Sequence, residues 1–208
     1  MRGTALKRGL VGLLLATSCR QLLDIKDGEL LPAEDGGGIG GDVGGEAPPP
    51  PLCDRYCDAV MASCTGTDAV YTSREACDAV CAALPPGIPG DGPVNSVECR
   101  LRAARAASDD ASRFCPVAGP GGNGDCGSNC ASLCGLREHT CADFKDSAED
   151  ACLESCRELP DLGTYSVDSS AAQDSGPHVQ CRLYHLSAAA VSEAEQQCLP
   201  VDGADPCR

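Results

Sequence analysis

Tryptophan is missing from this chain, and only two Phe and four Tyr occur in its 208 residues. Aromatic side chains carry the largest burial per residue, so their scarcity excludes a core built on aromatic packing. Cations are few: 16 Lys and Arg stand against 31 Asp and Glu, a formal net charge of −15. Such a balance excludes a nucleic-acid surface, which needs clustered basic side chains, and disfavours anionic lipid surfaces. Long apolar runs are lacking as well. The best, Gly9-Leu10-Val11-Gly12-Leu13-Leu14-Leu15-Ala16, falls far short of the ~20 residues that span a bilayer.

Motifs for chemistry are equally absent. No C-x-x-C occurs, so the dithiol of thioredoxin-like enzymes is excluded, and without C-x-x-C-H so is covalent haem attachment. Zinc-type ligand pairs two residues apart are lacking. Ser and His occur outside any recognisable nucleophile motif. The Gly runs lack the following Lys-Ser/Thr of a phosphate loop. Pairs such as Asp109-Asp110 and Glu149-Asp150 read as helix caps and solvated faces. No residue qualifies as catalytic, and the chain reads as a non-enzyme without a cofactor.

What the chain has instead is cysteine, 17 in all, with 24 Gly and 15 Pro. Sixteen of them fall into two series of matching order. The first is Cys53-x3-Cys57-x6-Cys64-x12-Cys77-x3-Cys81-x17-Cys99-x15-Cys115-x10-Cys126. The second is Cys130-x3-Cys134-x6-Cys141-x10-Cys152-x3-Cys156-x24-Cys181-x16-Cys198-x8-Cys207. Words recur with the spacing: Cys99-Arg100-Leu101 returns as Cys181-Arg182-Leu183, and Cys115-Pro116-Val117 is echoed in Cys198-Leu199-Pro200-Val201. This is a tandem repeat, 53–126 and 127–208, built as a disulfide framework. A unit of about 75 residues buries only roughly 60% of its unfolded surface, so covalent staples are the expected remedy.

The N-terminus explains why those thiols oxidise. Arg2, Lys7 and Arg8 precede the short apolar run, and small residues follow it, the pattern of a signal peptide over residues 1–18. Leu15-Ala16-Thr17-Ser18-Cys19 resembles a bacterial lipobox, with Ala16 where the usual Leu stands. That resemblance implies lipidation of Cys19 and a membrane anchor. Removing Cys19 leaves sixteen cysteines, eight per repeat. Loss of residues 1–18 takes three of the 16 cations and no acid, so the mature net charge becomes −18. Arg20 stands where an inner-membrane retention signal has Asp, which favours the outer membrane. Residues 19–52 are Gly-rich and end in Pro48-Pro49-Pro50-Pro51, a composition that cannot bury a core and reads as a disordered tether.

Helical periodicity dominates each repeat. Cys53, Cys57, Val60 and Cys64 fall on one face, as do Cys77, Val80, Cys81 and Leu84 before Pro85-Pro86. Thr72 with Glu75 offers a capping box for the second helix, Asn95 a cap for the third, and Asp146 with Glu149 the equivalent in the second repeat. Ser108-Asp109-Asp110 restarts or bends the third helix. The segment from Leu162 to Pro177 is long and polar, the signature of a mobile surface loop. The expected architecture is all-α: two tandem disulfide-stapled three-helix units behind the tether.

Cysteines four apart share a helical face and point nearly parallel, so they reach across to another helix. Two antiparallel helices carrying C-x3-C then form a ladder, Cys53–Cys81 with Cys57–Cys77 and Cys130–Cys156 with Cys134–Cys152. The hairpin geometry is similar to that of the small mitochondrial twin C-x3-C chaperones. For the other eight cysteines, a third helix antiparallel to the second favours Cys64–Cys115 with Cys99–Cys126, and Cys141–Cys198 with Cys181–Cys207. A tilted third helix leaves open Cys64–Cys99 with Cys115–Cys126.

His139, His178 and His185 are the only histidines. His178 and His185, seven apart, suit one helical face and give the alternative reading, a haem- or metal-associated accessory of extracytoplasmic electron transfer.

Cys64-Thr65-Gly66, Tyr71-Thr72-Ser73, Cys99-Arg100-Leu101 and Cys115-Pro116-Val117-Ala118-Gly119-Pro120 resemble words of the uncharacterised Cys-rich repeat lipoproteins of myxobacteria-like envelopes. The resemblance covers about residues 53–207 and brings no established activity. It implies His in the third helix and near Cys-Pro, where Ala103, Phe114 and Val117 stand here. The sequence therefore leads to a lipid-anchored, non-catalytic binding or structural protein of the envelope, with a possible envelope protein partner.

Overall fold

The computed structural model describes residues 50–142, 149–168, 173–192 and 194–208. The expected signal peptide, Cys19, the expected tether through residue 49 and the expected cap Asp146 lie outside them. The described residues hold eight α-helices and no strand. They are α1 (Leu52–Ser63), α2 (Arg74–Ala83), α3 (Val97–Ala106), α4 (Ala111–Ala118), α5 (Asn129–Thr140), α6 (Glu149–Arg157), α7 (Val179–Ala189) and α8 (Ala194–Val201).

Five helices, α2, α3, α4, α5 and α7, begin where a side chain accepts from an amide of the first turn. The expected third helix is two in each repeat, because Asp110 accepts from the Arg113 N–H at 3.2 Å and starts α4 afresh after α3 has ended. The cap of α2 is Ser73, accepting from the Ala76 N–H at 3.2 Å, and not Thr72. Likewise Ser96, one residue beyond the expected Asn95, caps α3 by accepting from the Cys99 N–H at 3.3 Å. In both cases the neighbouring hydroxyl is the one that reaches the third amide of the helix. Asn95 instead accepts from the Ser132 hydroxyl in the other repeat. Pro85-Pro86 ends α2 as expected, with Leu84 at its C-cap.

All eight disulfides of the framework are present, and they follow the two ladders and the antiparallel alternative. Cys53–Cys81 and Cys57–Cys77 join α1 to α2 with Cα atoms 5.8 Å apart. Cys130–Cys156 and Cys134–Cys152 do the same for α5 and α6. Cys64–Cys115 and Cys141–Cys198 tie the end of the first helix of each repeat to the fourth. Cys99–Cys126 and Cys181–Cys207 pin the third helix to the segment after the fourth. No bridge crosses from one repeat to the other among the described residues.

The cores do cross. Ala47–Arg208 forms one compact unit, and a single buried cluster takes Tyr56, Val60, Val80 and Leu101 from the first repeat with Leu133, Leu136, Leu183 and Leu186 from the second. The boundary near residue 126 is thus a boundary of the disulfide pattern and not of the core. Part of the segment expected to be a mobile loop contributes: Tyr165 is buried, and the Val167 N–H donates to the Ala69 carbonyl at 2.8 Å. The Ser166 hydroxyl donates to the Thr67 carbonyl. Small repeats poor in aromatic area gain from sharing one interior.

Arg100 fastens that shared interior. Its side chain is wholly buried. Its guanidinium donates to the carbonyls of Gly119 at 3.0 Å, Ser96 at 3.1 Å and Pro120 at 3.1 Å, and to the Ser132 hydroxyl at 2.8 Å. The turn that supplies two of these carbonyls passes through Gly122, at φ +79°, where a Cβ would collide with the Cys126 carbonyl. Burial pulls the Arg100 guanidinium below its ordinary value, opposed by the nearby hydroxyls of Tyr56 and Tyr71.

Candidate functional site

The sequence offers two kinds of candidate, sulfur and histidine, and the fold disposes of them differently. Every cysteine from Cys53 to Cys207 is consumed in a disulfide, and the inner members of the ladders, Cys57, Cys77 and Cys134, are buried. Cystine sulfur supplies neither a thiolate nucleophile nor a thiolate ligand. The sulfurs are structural, as their spacing suggested. Cys19 lies outside the described residues.

His178 and His185 do not share a helical face. His178 precedes α7 as its N-cap, in extended backbone, and its Nδ1 accepts from the Cys181 N–H at 3.0 Å. Capping chemistry explains the position: the free α7 amide needs an acceptor and the imidazole supplies one. His185 lies two turns further on, about 10 Å along the axis, and holds partners at both ring nitrogens. Nδ1 pairs with Gln197 Oε1 at 2.7 Å and Nε2 with the Asp174 carbonyl at 2.9 Å. His185 also approaches the sulfurs of Cys181 and Cys207, the three ligand atoms lying within 4.8 Å of one another. Those sulfurs are bonded to each other, so the trio offers one imidazole that is already engaged. His139 is exposed at the end of α5.

Three positions singled out in the sequence of the first repeat come together in the fold. Ala103, Phe114 and Val117 line one half-open, mostly apolar cleft of about 350 Å³ between α3 and α4, bordered by the Cys99–Cys126 disulfide, Arg102 and Asp125. Ala103 matches His185 and Phe114 matches Gln197 when the repeats are aligned on their cysteines. The imidazole–amide pair of the second repeat is therefore replaced by a methyl and a phenyl ring around open space.

Acidic side chains are mostly surface devices. Asp54, Asp58 and Asp78 surround Arg74 on the outer faces of α1 and α2. Asp161 is the exception that sequence reasoning missed. It accepts from the Gly163 N–H at 2.9 Å, from Gln180 Nε2 at 2.6 Å and from Asn129 Nδ2 at 3.0 Å. Partial burial opposes its ionisation, but those donors outweigh it and hold the carboxyl below its usual range. Its sequence neighbourhood, Leu159-Pro160-Asp161, reads as a turn, and only the fold brings Asn129 and the buried Gln180 to it. Arg100 was legible as a repeated word without a role; a charged residue between two buried ones, Cys99 and Leu101, was the available signal.

None of the helices among the described residues is long and apolar enough to cross a membrane. No protein-family model, curated protein or solved structure is similar enough to this chain to match it. Eight disulfides in one small body belong to an oxidising, extracytoplasmic environment, since a reducing cytosol would open them.

Proposed function

We propose that this protein is a lipid-anchored, non-catalytic binding or structural module of the bacterial cell envelope, held by acylated Cys19 and displayed on the Gly- and Pro-rich tether. The observation that carries the reading is the cystine frame: all sixteen cysteines after Cys19 are spent on structure, leaving one cysteine, beside the apolar leader, for the anchor. The acidic body favours a basic or neutral protein partner over nucleic acid. The resemblance to the Cys-rich repeat lipoproteins of myxobacteria-like envelopes accords with the same placement, with the outer membrane as the favoured site. Nothing in the geometry favours the haem reading, because His178 is a helix cap and His185 has both nitrogens engaged.

Intact mass of the chain taken from a bacterial envelope tests this directly. The expected species begins at Cys19, carries acyl chains, and gains sixteen hydrogens on full reduction. Cys19→Ser is expected to move the protein from the membrane fraction to the soluble one, since the remaining body has no other anchor in this reading. A Cys19→Ser chain that still sediments with membranes, or a mature chain without acyl groups, would refute the anchor. Turnover of a thiol or disulfide substrate by the oxidised chain would refute the non-catalytic assignment.

A further inference from the structure

The two repeats act as controls on each other at the cleft between α3 and α4. Aligned on their cysteines, His185 stands against Ala103, Gln197 against Phe114 and Asp174 against Gly92. In the second repeat the His185 ring bridges α8 to the segment before α7, through Gln197 Oε1 at 2.7 Å and the Asp174 carbonyl at 2.9 Å. The first repeat has only a methyl group at that position, and there the half-open space of about 350 Å³ is lined by Phe114 of α4 and Pro93 ahead of α3. Ala103 and Val117 in the lining are buried, and the Cys99–Cys126 disulfide supplies sulfur to it. At ~30 Å³ for each water-sized group, such a space takes about a dozen non-hydrogen atoms.

Two opposite charges border this cleft, Arg102 and Asp125, both on exposed residues. Residues 50–142, which supply the whole lining, are all described. Among the described residues neither Arg102 nor Asp125 forms an ion pair, with the other or with a third group. Arg102 is fastened at the rim by Nη1, which donates to the Asp91 carbonyl, and by Nη2, 3.6 Å from Cys99 Sγ. Its Nε–H remains unspent among the described residues. The charged groups beside it are committed: Arg113 lies over the Phe114 ring, 4.9 Å from its centroid, and the Asp91 carboxylate accepts from the Ile88 N–H at 2.8 Å. An aromatic guest suits the interior, where a ring meets Phe114, sulfur and aliphatic groups. A guest with only an anionic end is repelled by Asp125, and one with only a cationic end by Arg102. A zwitterion meets both with opposite charge. A carboxylate and an ammonium group on one carbon, next to a ring, describe an aromatic α-amino acid.

We propose that the cleft between α3 and α4 binds a free aromatic α-amino acid. Its ring takes the space that the His185 ring fills in the second repeat, its carboxylate lies on Arg102 and its ammonium group on Asp125. The inference gives a ligand to the binding module proposed above and rests on that reading for its setting. Its test uses the first repeat of the folded body, so its failure would leave the anchor and the disulfides untouched.

Nuclear magnetic resonance titration of the disulfide-bonded chain with phenylalanine tests it. Saturable one-to-one shifts at α3 and α4 are expected. Hydrocinnamate, which lacks the ammonium group, and phenethylamine, which lacks the carboxylate, should each bind more weakly. Arg102→Gln should weaken phenylalanine binding about fivefold, the upper range for an exposed ion pair. Ala103→Leu should fill the cleft and abolish saturable binding with both rim charges in place. Asp125→Asn, an exposed change that should also weaken binding about fivefold, carries the test if Ala103→Leu fails to fold. No saturable response of the unaltered chain to phenylalanine overturns the proposal. So does an analogue that binds as tightly as phenylalanine, and so does undiminished binding in the folded variants, which would put the amino acid elsewhere on the surface.

Discussion

Tyr56 is wholly buried, and its hydroxyl donates to the Ala118 carbonyl at 2.6 Å while lying 2.8 Å from the hydroxyl of Tyr71. One O–H donates once, so Tyr71 donates to Tyr56, and each oxygen depends on the other. Tyr56→Phe strands the carbonyl and removes the acceptor of Tyr71, and we expect a loss of about 1–3 kcal/mol in urea unfolding. The same pair predicts an alkaline limit. Burial pushes Tyr56 up to about 12, opposed by the Arg100 charge and the Tyr71 hydrogen bond. Burial, with Tyr56 beside it, pushes Tyr71 well above its usual value. A folded-state value above the unfolded one, ~10 for tyrosine, means the contribution is whole below pH ~10 and is lost as pH rises through about 12. Tyrosinate absorbance and helical circular dichroism should therefore change together in brief alkaline exposures. Tyrosinate appearing while the helices persist would contradict this account of the pair.

Pairs of helices, rather than single ones, are the units that the disulfides define. The inner rungs Cys57–Cys77 and Cys134–Cys152 close loops of sequence separation 20 and 18, whereas Cys64–Cys115 and Cys141–Cys198 close 51 and 57. Loop-closure entropy grows with the logarithm of that length. Replacing Cys141 and Cys198 by Ala should therefore cost about 1 kcal/mol more than replacing Cys134 and Cys152, on a base of roughly 2–4 kcal/mol per bridge. Denaturant midpoints of the two double variants measure the difference. A reversed order would mean that packing around the inner rung outweighs chain entropy.

Across the molecule, the shared interior predicts cooperativity that the repeat pattern alone does not. Arg100 of the first repeat needs Ser132 of the second, and Ser166 and Val167 of the second reach back to Thr67 and Ala69 of the first. The described body should unfold in one calorimetric transition, its calorimetric and van't Hoff enthalpies agreeing. Two separable transitions would restore the picture of independent units. Repeat one made alone should be markedly less stable, because its buried guanidinium loses a partner and part of its cover.

The sequence by itself determined what depends on short separations. Cysteines four apart on a helix can only reach sideways, so the ladders, the helical class and the need for an oxidising compartment were legible in the spacing. Capping erred by single residues, Ser73 for Thr72 and Ser96 for Asn95, because adjacent hydroxyl and amide side chains compete for the same amides. Tertiary structure alone decided which way the third helix returns, and with it Cys64–Cys115 over Cys64–Cys99. It alone merged two cores into one, and gave equivalent arginines opposite fates, Arg100 with a partner at each of its three nitrogens and Arg182 with an Nε unmet among the described residues. The physical reason is that spacing constrains neighbours along one helix, whereas burial and hydrogen-bond satisfaction depend on groups brought together from dozens of residues away.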